Sequence, residues 1–336
     1  MGKQNDALVA YLNREEILAD LYNGCLCGGK QVVTVKTLGE AQRVYRGHAQ
    51  ERAQPRGERR RERDIIRVFH DGDTLVFLAV EAQNDPHLAM PFRCMEYDTL
   101  EYARQLRELK RENEGQLRGG IEYLSGMKRT DRLIPVITIV LYHGEKPWDA
   151  PRKLSEMMEI GRLNPALKEL FQEYQIHIFS VSELNEELFQ THLRELIGLM
   201  KCRRDKEVMQ RYCRKHADRI SKMDSATYDM VCTMLNLDTL QEKKEEYKNR
   251  EEQEKYDMCK AMEEWAAESR EEGRMIGLAE GEKKGRESGL MEGEKLGEQQ
   301  LASLIGKLLQ TGRQEDLQQA LVDADARKRL YREFGI

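Results

Sequence analysis

Asp64-Ile-Ile-Arg-Val-Phe-His-Asp-Gly-Asp-Thr-Leu-Val-Phe-Leu-Ala-Val-Glu-Ala-Gln83 contains two strand patterns and the turn between them. The segment up to His70 alternates, Asp71-Gly72-Asp73 carries turn chemistry, and Thr74 to Gln83 runs apolar. Asp-Gly between two such runs predicts a β-hairpin. The midpoint of positions 64 and 81 falls between Gly72 and Asp73, inside the turn, so Asp64 and Glu81 become cross-strand partners with β-carbons ~5 Å apart. The strand period of two puts Gln83 on the face of Glu81, while Ala82 points the other way with Val80 and Leu78.

Like charges facing each other on a sheet cost stability. A divalent cation shared between them removes that cost, and Mg²⁺ commonly takes one or two carboxylates while keeping waters and a phosphate oxygen. The alternative is that Glu81 pairs with an arginine, Arg93 or Arg67. Leu75 to Val80 is too apolar for an exposed edge strand, which favours the metal.

Outward from the hairpin, residues 1–30 read as a short helix with Ile17, Leu18 and Leu21 at helical spacing and a stop at Asn23-Gly24. Gln31 to Val35 is β-prone. Residues 43–63 are rich in arginine, with Arg52, Arg56, Arg59, Arg60, Arg61 and Arg63. They form either a solvated loop or a phosphate-contacting one, since the guanidinium fork matches phosphate oxygens. A long amphipathic helix is expected over Leu88 to Glu112. Ile134 to Tyr142 is a near-continuous apolar, β-branched run, the mark of a strand covered on both faces. A strand near Ile176 to Val181 and helices from Asn185 onward complete a mixed α/β domain ending near residue 240.

The chain has 336 residues, 34% charged and 40% apolar, with 55 basic and 60 acidic side chains and a net charge of −5. This excludes a uniformly basic nucleic-acid coat but not a local basic patch. No apolar run reaches ~18 residues, so no membrane span is expected. Met1-Gly2-Lys3-Gln4-Asn5-Asp6 lacks the order of a signal peptide, and the seven cysteines are scattered. Reduced thiols in a cytoplasmic setting are the expectation.

Taken together, several stretches carry a family likeness. They are Ala19-Asp20-Leu21-Tyr22-Asn23, Arg63-Asp64-Ile65, Val80-Glu81-Ala82-Gln83-Asn84, then Met90, Arg93 and Tyr97, and finally Leu133 to Gly144 with Trp148. In this order they resemble the PD-(D/E)XK nuclease core, and more closely the YhgA-like putative transposases, or recombination-promoting nucleases. The likeness covers about residues 10–200.

The resemblance implies a restriction-endonuclease-like α/β core, its central mixed sheet flanked by helices, with a long helical C-terminal extension. It implies Mg²⁺-dependent hydrolysis of DNA, with Mn²⁺ able to substitute. Asp64 and Glu81 would be the metal ligands and Gln83 the group that holds the attacking water. Asp20 would be an additional acid, chosen over Glu16 and Asn23 on the same helical face. Arg93 would contact a phosphate or orient Glu81, and Arg59, Arg60 and Arg61 would be further phosphate contacts. The chain departs from the superfamily pattern in having Gln83 in place of lysine and Arg63 in place of proline. A competing expectation is a scaffold on a catalytically weak nuclease fold, assembling partners through its tail. A ribonuclease-H-like transposase fits less well, because it would not set its acids across one hairpin.

The tail changes character. Residues 241–300 are charged and helix-forming, and glycine recurs at 273, 277, 281, 285, 289, 293 and 297. Residues 301–336 read as Leu- and Ala-rich helices. Glycines four apart form a smooth stripe, which predicts close packing on another helix, within the chain or in a homo-oligomer; the alternative is a flexible charged linker.

Overall fold

The computed structural model describes residues 2–41, 44–46, 60–72, 74–249, 252 and 254–336. By its internal contacts the chain divides into residues 1–264 and 265–336.

In the first unit a five-stranded mixed sheet is built from β1 (Leu38–Glu40), β4 (Ile65–Asp71), β5 (Thr74–Gln83), β6 (Val136–Tyr142) and β7 (His177–Ser180), side by side in that order. Two further strands, β2 (Val44–Arg46) and β3 (Arg60–Glu62), pair as a separate antiparallel ribbon. The β1, β4 and β5 neighbours run antiparallel, while β5, β6 and β7 run parallel. The α/β class and the mixed sheet are those the sequence predicts.

β5 is the central strand, and Phe77 through Ala82 are all buried, as an apolar run with covered faces requires. The turn places Gly72 at φ +59°, a left-handed conformation that costs glycine nothing. β6 begins two residues later than the apolar run suggests. Pro135 has no N–H to give a ladder, but its carbonyl accepts from Phe77 N–H at 2.9 Å.

Helices cover the sheet: α1 (Lys3–Leu12), α2 (Glu15–Leu26) and, between β5 and β6, α3 (Met90–Glu112). The single N-terminal helix expected from the sequence is two, broken at Asn13-Arg14. Gln31 to Val35 is not a strand. The N–H groups of Val32 and Val33 donate to Asn23 Oδ1 at 3.0 and 2.8 Å, which removes them from any ladder. Helices after β7 include Leu193–Cys202, Lys206–Lys215 and Ser225–Leu235.

The described residues of 241–264, expected within a charged helical segment, pack into the first unit, where Tyr247, Tyr256, Met258 and Met262 are buried. Tyr256 lies 5.4 Å from the Tyr228 ring, and Lys244 Nζ sits 4.7 Å over it. Four large apolar groups spaced among charges are enough to anchor a segment that composition alone reads as solvated.

In the second unit, the latter part of helix Met258–Gln310 joins helices Gln314–Val322 and Ala324–Phe334 around Leu304, Leu308, Ala320 and Leu330. The glycine stripe lies in the helix and is exposed, and a β-carbon added at any of the seven positions meets no atom of this unit within 4 Å. Gly285→Ala and Gly289→Ala should therefore each stabilise the helix by about 1 kcal/mol, read as a higher helical melting temperature by circular dichroism. A fall in that temperature, with a lower mass by light scattering, would show that the stripe packs on a second copy.

Candidate active site

The β4–β5 register decides how the two acids meet. Ile65 faces Val80 and Asp71 faces Thr74, with paired residue numbers summing to 145 throughout. One step beyond Ile65, Asp64 stands opposite Glu81. Asp64 is nearly buried, and its Oδ2 accepts from the backbone N–H of Ala82 at 2.9 Å. Glu81 is fully buried; its Oε2 accepts from Arg93 Nη2 at 3.1 Å, and its Oε1 has no hydrogen-bond partner among the described residues. Gln83, half-buried on the same side of β5, has a side-chain amide with no hydrogen bond to the described residues, while its carbonyl accepts from His143 N–H at 2.9 Å.

Burial, and then the neighbouring Asp64 charge, push the Glu81 carboxyl up from its usual 4.5 to about 8, against the pull of Arg93 and Arg63. Between those values the folded protein keeps a proton that the unfolded chain has lost. Metal-free stability contributed by this group therefore falls as pH rises from 4.5 toward 8. Glu81→Gln, which cannot ionise, should gain stability over the parent protein at pH 8 and gain little at pH 5. Urea denaturation in chelator checks this, and an equal gain at both pH values would contradict it.

Behind the acids lies a polar network that sequence reasoning missed. Arg63, fully buried, donates to Asp98 Oδ1 at 2.5 Å and to Thr138 Oγ1 at 2.8 Å. Thr138 and Tyr174 hydroxyls donate to the two Asp98 oxygens at 2.7 and 2.5 Å. The Arg63 and Arg93 guanidinium carbons lie 5.3 and 5.7 Å from the Tyr97 ring centroid. Two signals were present in the sequence: Thr138 interrupts the apolar run of β6, and Asp98 falls on the buried α3 stripe of Met90, Cys94, Tyr97 and Glu101.

The other candidates separate. Arg93 takes the Glu81-orienting option, and Arg67 turns away, donating to Asn13 Oδ1 at 2.8 Å. Asp20 is not brought into the site as an additional acid. Its carboxylate accepts from Gln190 N–H at 3.0 Å and from Thr191 N–H and Oγ1 at 2.8 and 2.6 Å, so it anchors the chain ahead of helix Leu193–Cys202. Asn23 is committed to Val32 and Val33, and Glu16 is exposed. Arg59 lies outside the described residues, as do the side chains of Arg60 and Arg61 on β3.

His143 is buried, and desolvation together with Arg203 lowers it to about 4, so it is neutral at pH 7. Tyr142 and Trp148 pack edge to face at 5.2 Å, as packing residues should. None of the seven cysteines is joined in a disulfide.

Residues 66–231 match the family described as YhgA-like putative transposases. Over that segment the chain belongs to the YhgA-like putative transposase family. The YhgA-like segment takes in Glu81, Gln83, Arg93, Asp98 and His143, and it begins two residues after Asp64. No curated protein and no solved structure matches the chain. No helix among the described residues is long and apolar enough to cross a membrane.

Among the described residues no group of three His, Cys, Asp or Glu side chains could hold a metal ion. What Asp64 and Glu81 could offer a cation is two carboxylates, one with a buried oxygen that lacks a partner among the described residues. That set suits Mg²⁺ or Mn²⁺, which fill their remaining positions with water and phosphate, and it does not suit a fully protein-ligated ion such as structural zinc.

Proposed function

We propose that this YhgA-like chain is a Mg²⁺-dependent DNA endonuclease that hydrolyses phosphodiesters, Mn²⁺ being able to replace Mg²⁺. The reading is carried by one observation: Glu81, fully buried opposite Asp64, leaves Oε1 without a partner, a costly arrangement unless the carboxylate is held there for a ligand. The family description, a transposase, supplies DNA as the substrate class.

Asp64 and Glu81 would hold the cation. Bound there, it lowers the pKa of a coordinated water and neutralises charge growing on the phosphate. The Ala82 N–H fixes the Asp64 carboxylate, and Arg93 fixes that of Glu81. The free Gln83 amide orients the attacking water by hydrogen bonding, without the positive charge a lysine would add. The water oxygen adds to phosphorus, one P–O ester bond breaks, and the leaving oxygen takes up a proton. A weakly active scaffold is the second reading, favoured by the Arg93–Glu81 hydrogen bond already in place and by the missing lysine.

Calorimetric titration of the full chain with Mn²⁺ tests the reading. One site is expected, with release of about one proton at pH 7, because Glu81 must ionise to bind. Glu81→Gln should cost more than the ~10–100-fold typical of a lost outer partner. Equal affinity in both proteins, or no proton release, would favour the scaffold.

A further inference from the structure

From Gln83 two hydrogen bonds lead to a second charged feature at the same end of the sheet. His143 N–H donates to the Gln83 carbonyl at 2.9 Å, and Arg203 Nη2 donates to the His143 carbonyl at 3.1 Å. Arg203 and His143 line a cavity of about 150 Å³ together with Gly144, Glu145, Lys201 and Arg204. A second cavity, about 290 Å³, shares Glu145 and Arg203 with the first and reaches Asn84 and Asp85, the residues that follow Gln83. Both lie beyond the carboxyl ends of parallel strands, where open α/β sheets bind ligands.

The lining is cationic and incompletely satisfied. Arg203 Nε stands 3.5 Å and Arg204 Nε 3.4 Å from the same carboxylate, that of Glu145. Two guanidinium groups thus share one anion. The Glu145 side chain is 56% exposed and that of Arg204 63% exposed, a setting in which an ion pair contributes little. His143, 1% exposed, has an Nδ1 without a partner among the described residues.

Beyond the cavity the charge continues. Residues 201–222 hold Lys201, Arg203, Arg204, Lys206, Arg211, Arg214, Lys215, Arg219 and Lys222 against Asp205, Glu207 and Asp218, in a chain whose net charge is −5. Arg211, Arg214 and Lys215 are exposed and share one face of helix Lys206–Lys215.

We propose that this cavity binds a backbone phosphate of the DNA strand beside the scissile one, through Arg203 and Arg204, with Glu145 occupying the phosphate's place until DNA arrives. The identity of the strand rests on the nuclease reading. A backbone phosphate offers two non-bridging oxygens that guanidinium forks match, and its single negative charge takes over that of the carboxylate it displaces, leaving Glu145 free to turn to solvent. The exposed row Arg211, Arg214 and Lys215 then extends the path of the backbone.

The test is fluorescence anisotropy of a labelled duplex with the full chain in chelator, so that no cleavage occurs, over a series of salt concentrations. Arg203→Gln with Arg204→Gln should weaken binding and lower the slope of log affinity against log salt by about 2, and Arg204→Gln alone by about 1. Glu145→Gln should tighten binding, a change of opposite sign that loss of structure would not produce. Arg204 is exposed, so its single variant reads the site even if the double variant folds poorly.

Parent-like affinity and slope in Arg204→Gln and Glu145→Gln, with DNA bound by the parent, would overturn the site and leave the nuclease reading intact. The expected shifts in a protein that never cuts DNA would uphold the site and remove the nuclease reading. No binding by the parent would remove both.

Discussion

Asp98→Ala should destabilise the first unit by about 3–5 kcal/mol, the cost of breaking a buried ion pair by removing one partner. Arg63 has no solvent to turn to: it is fully buried, and the Asp98 side chain is only 12% exposed. The same change strands the Thr138 and Tyr174 hydroxyls, which donate to Asp98. Urea denaturation measures the loss. Removing the buried charge as well, in Arg63→Met with Asp98→Ala, should recover much of it, because an apolar pair of similar volume is tolerated where a lone charge is not. A loss below ~1 kcal/mol in Asp98→Ala, or no recovery in the double variant, would mean that the network does not hold the hairpin in place.

That network also marks where sequence reasoning stops. The hairpin was legible because turn chemistry and strand parity are local: Asp-Gly fixes the turn, the turn fixes the register, and the register sets Asp64 opposite Glu81. The central strands were legible from their unbroken apolar runs. Asp20 was misread because its partners, the Gln190 and Thr191 amides, are about 170 residues away in sequence, and a buried carboxylate that caps a distant turn has the same local pattern as a metal ligand. His143 directly follows β6, where the local pattern gives no sign of burial, yet α1 brings Asn5 Oδ1 to 3.2 Å from its Nε2 and closes it from solvent. The role of Glu81 stood between a metal and an arginine partner. The arginine is there, at Oε2, and the second oxygen has no hydrogen-bond partner among the described residues, which is where the proposed reading would seat a cation.

The other large effect concerns turnover. Glu81→Ala removes the buried carboxylate, and Asp64→Ala removes its opposite number together with the bond to the Ala82 amide. Each should reduce DNA cleavage by more than the ~10²–10³-fold that follows loss of one electrostatic contact in an active site, since the cation itself would no longer be held. Ca²⁺, which prefers more ligands and a looser geometry than Mg²⁺, should support DNA binding with little cleavage.

The most direct measurement is nicking of a supercoiled plasmid by the full chain in Mg²⁺, set beside Asp64→Ala, Glu81→Ala and a chelator control. The account predicts nicked and linear DNA from the parent protein alone, and only in the presence of the metal. Cutting by Glu81→Ala at the parent rate, or by the parent in chelator, would contradict it.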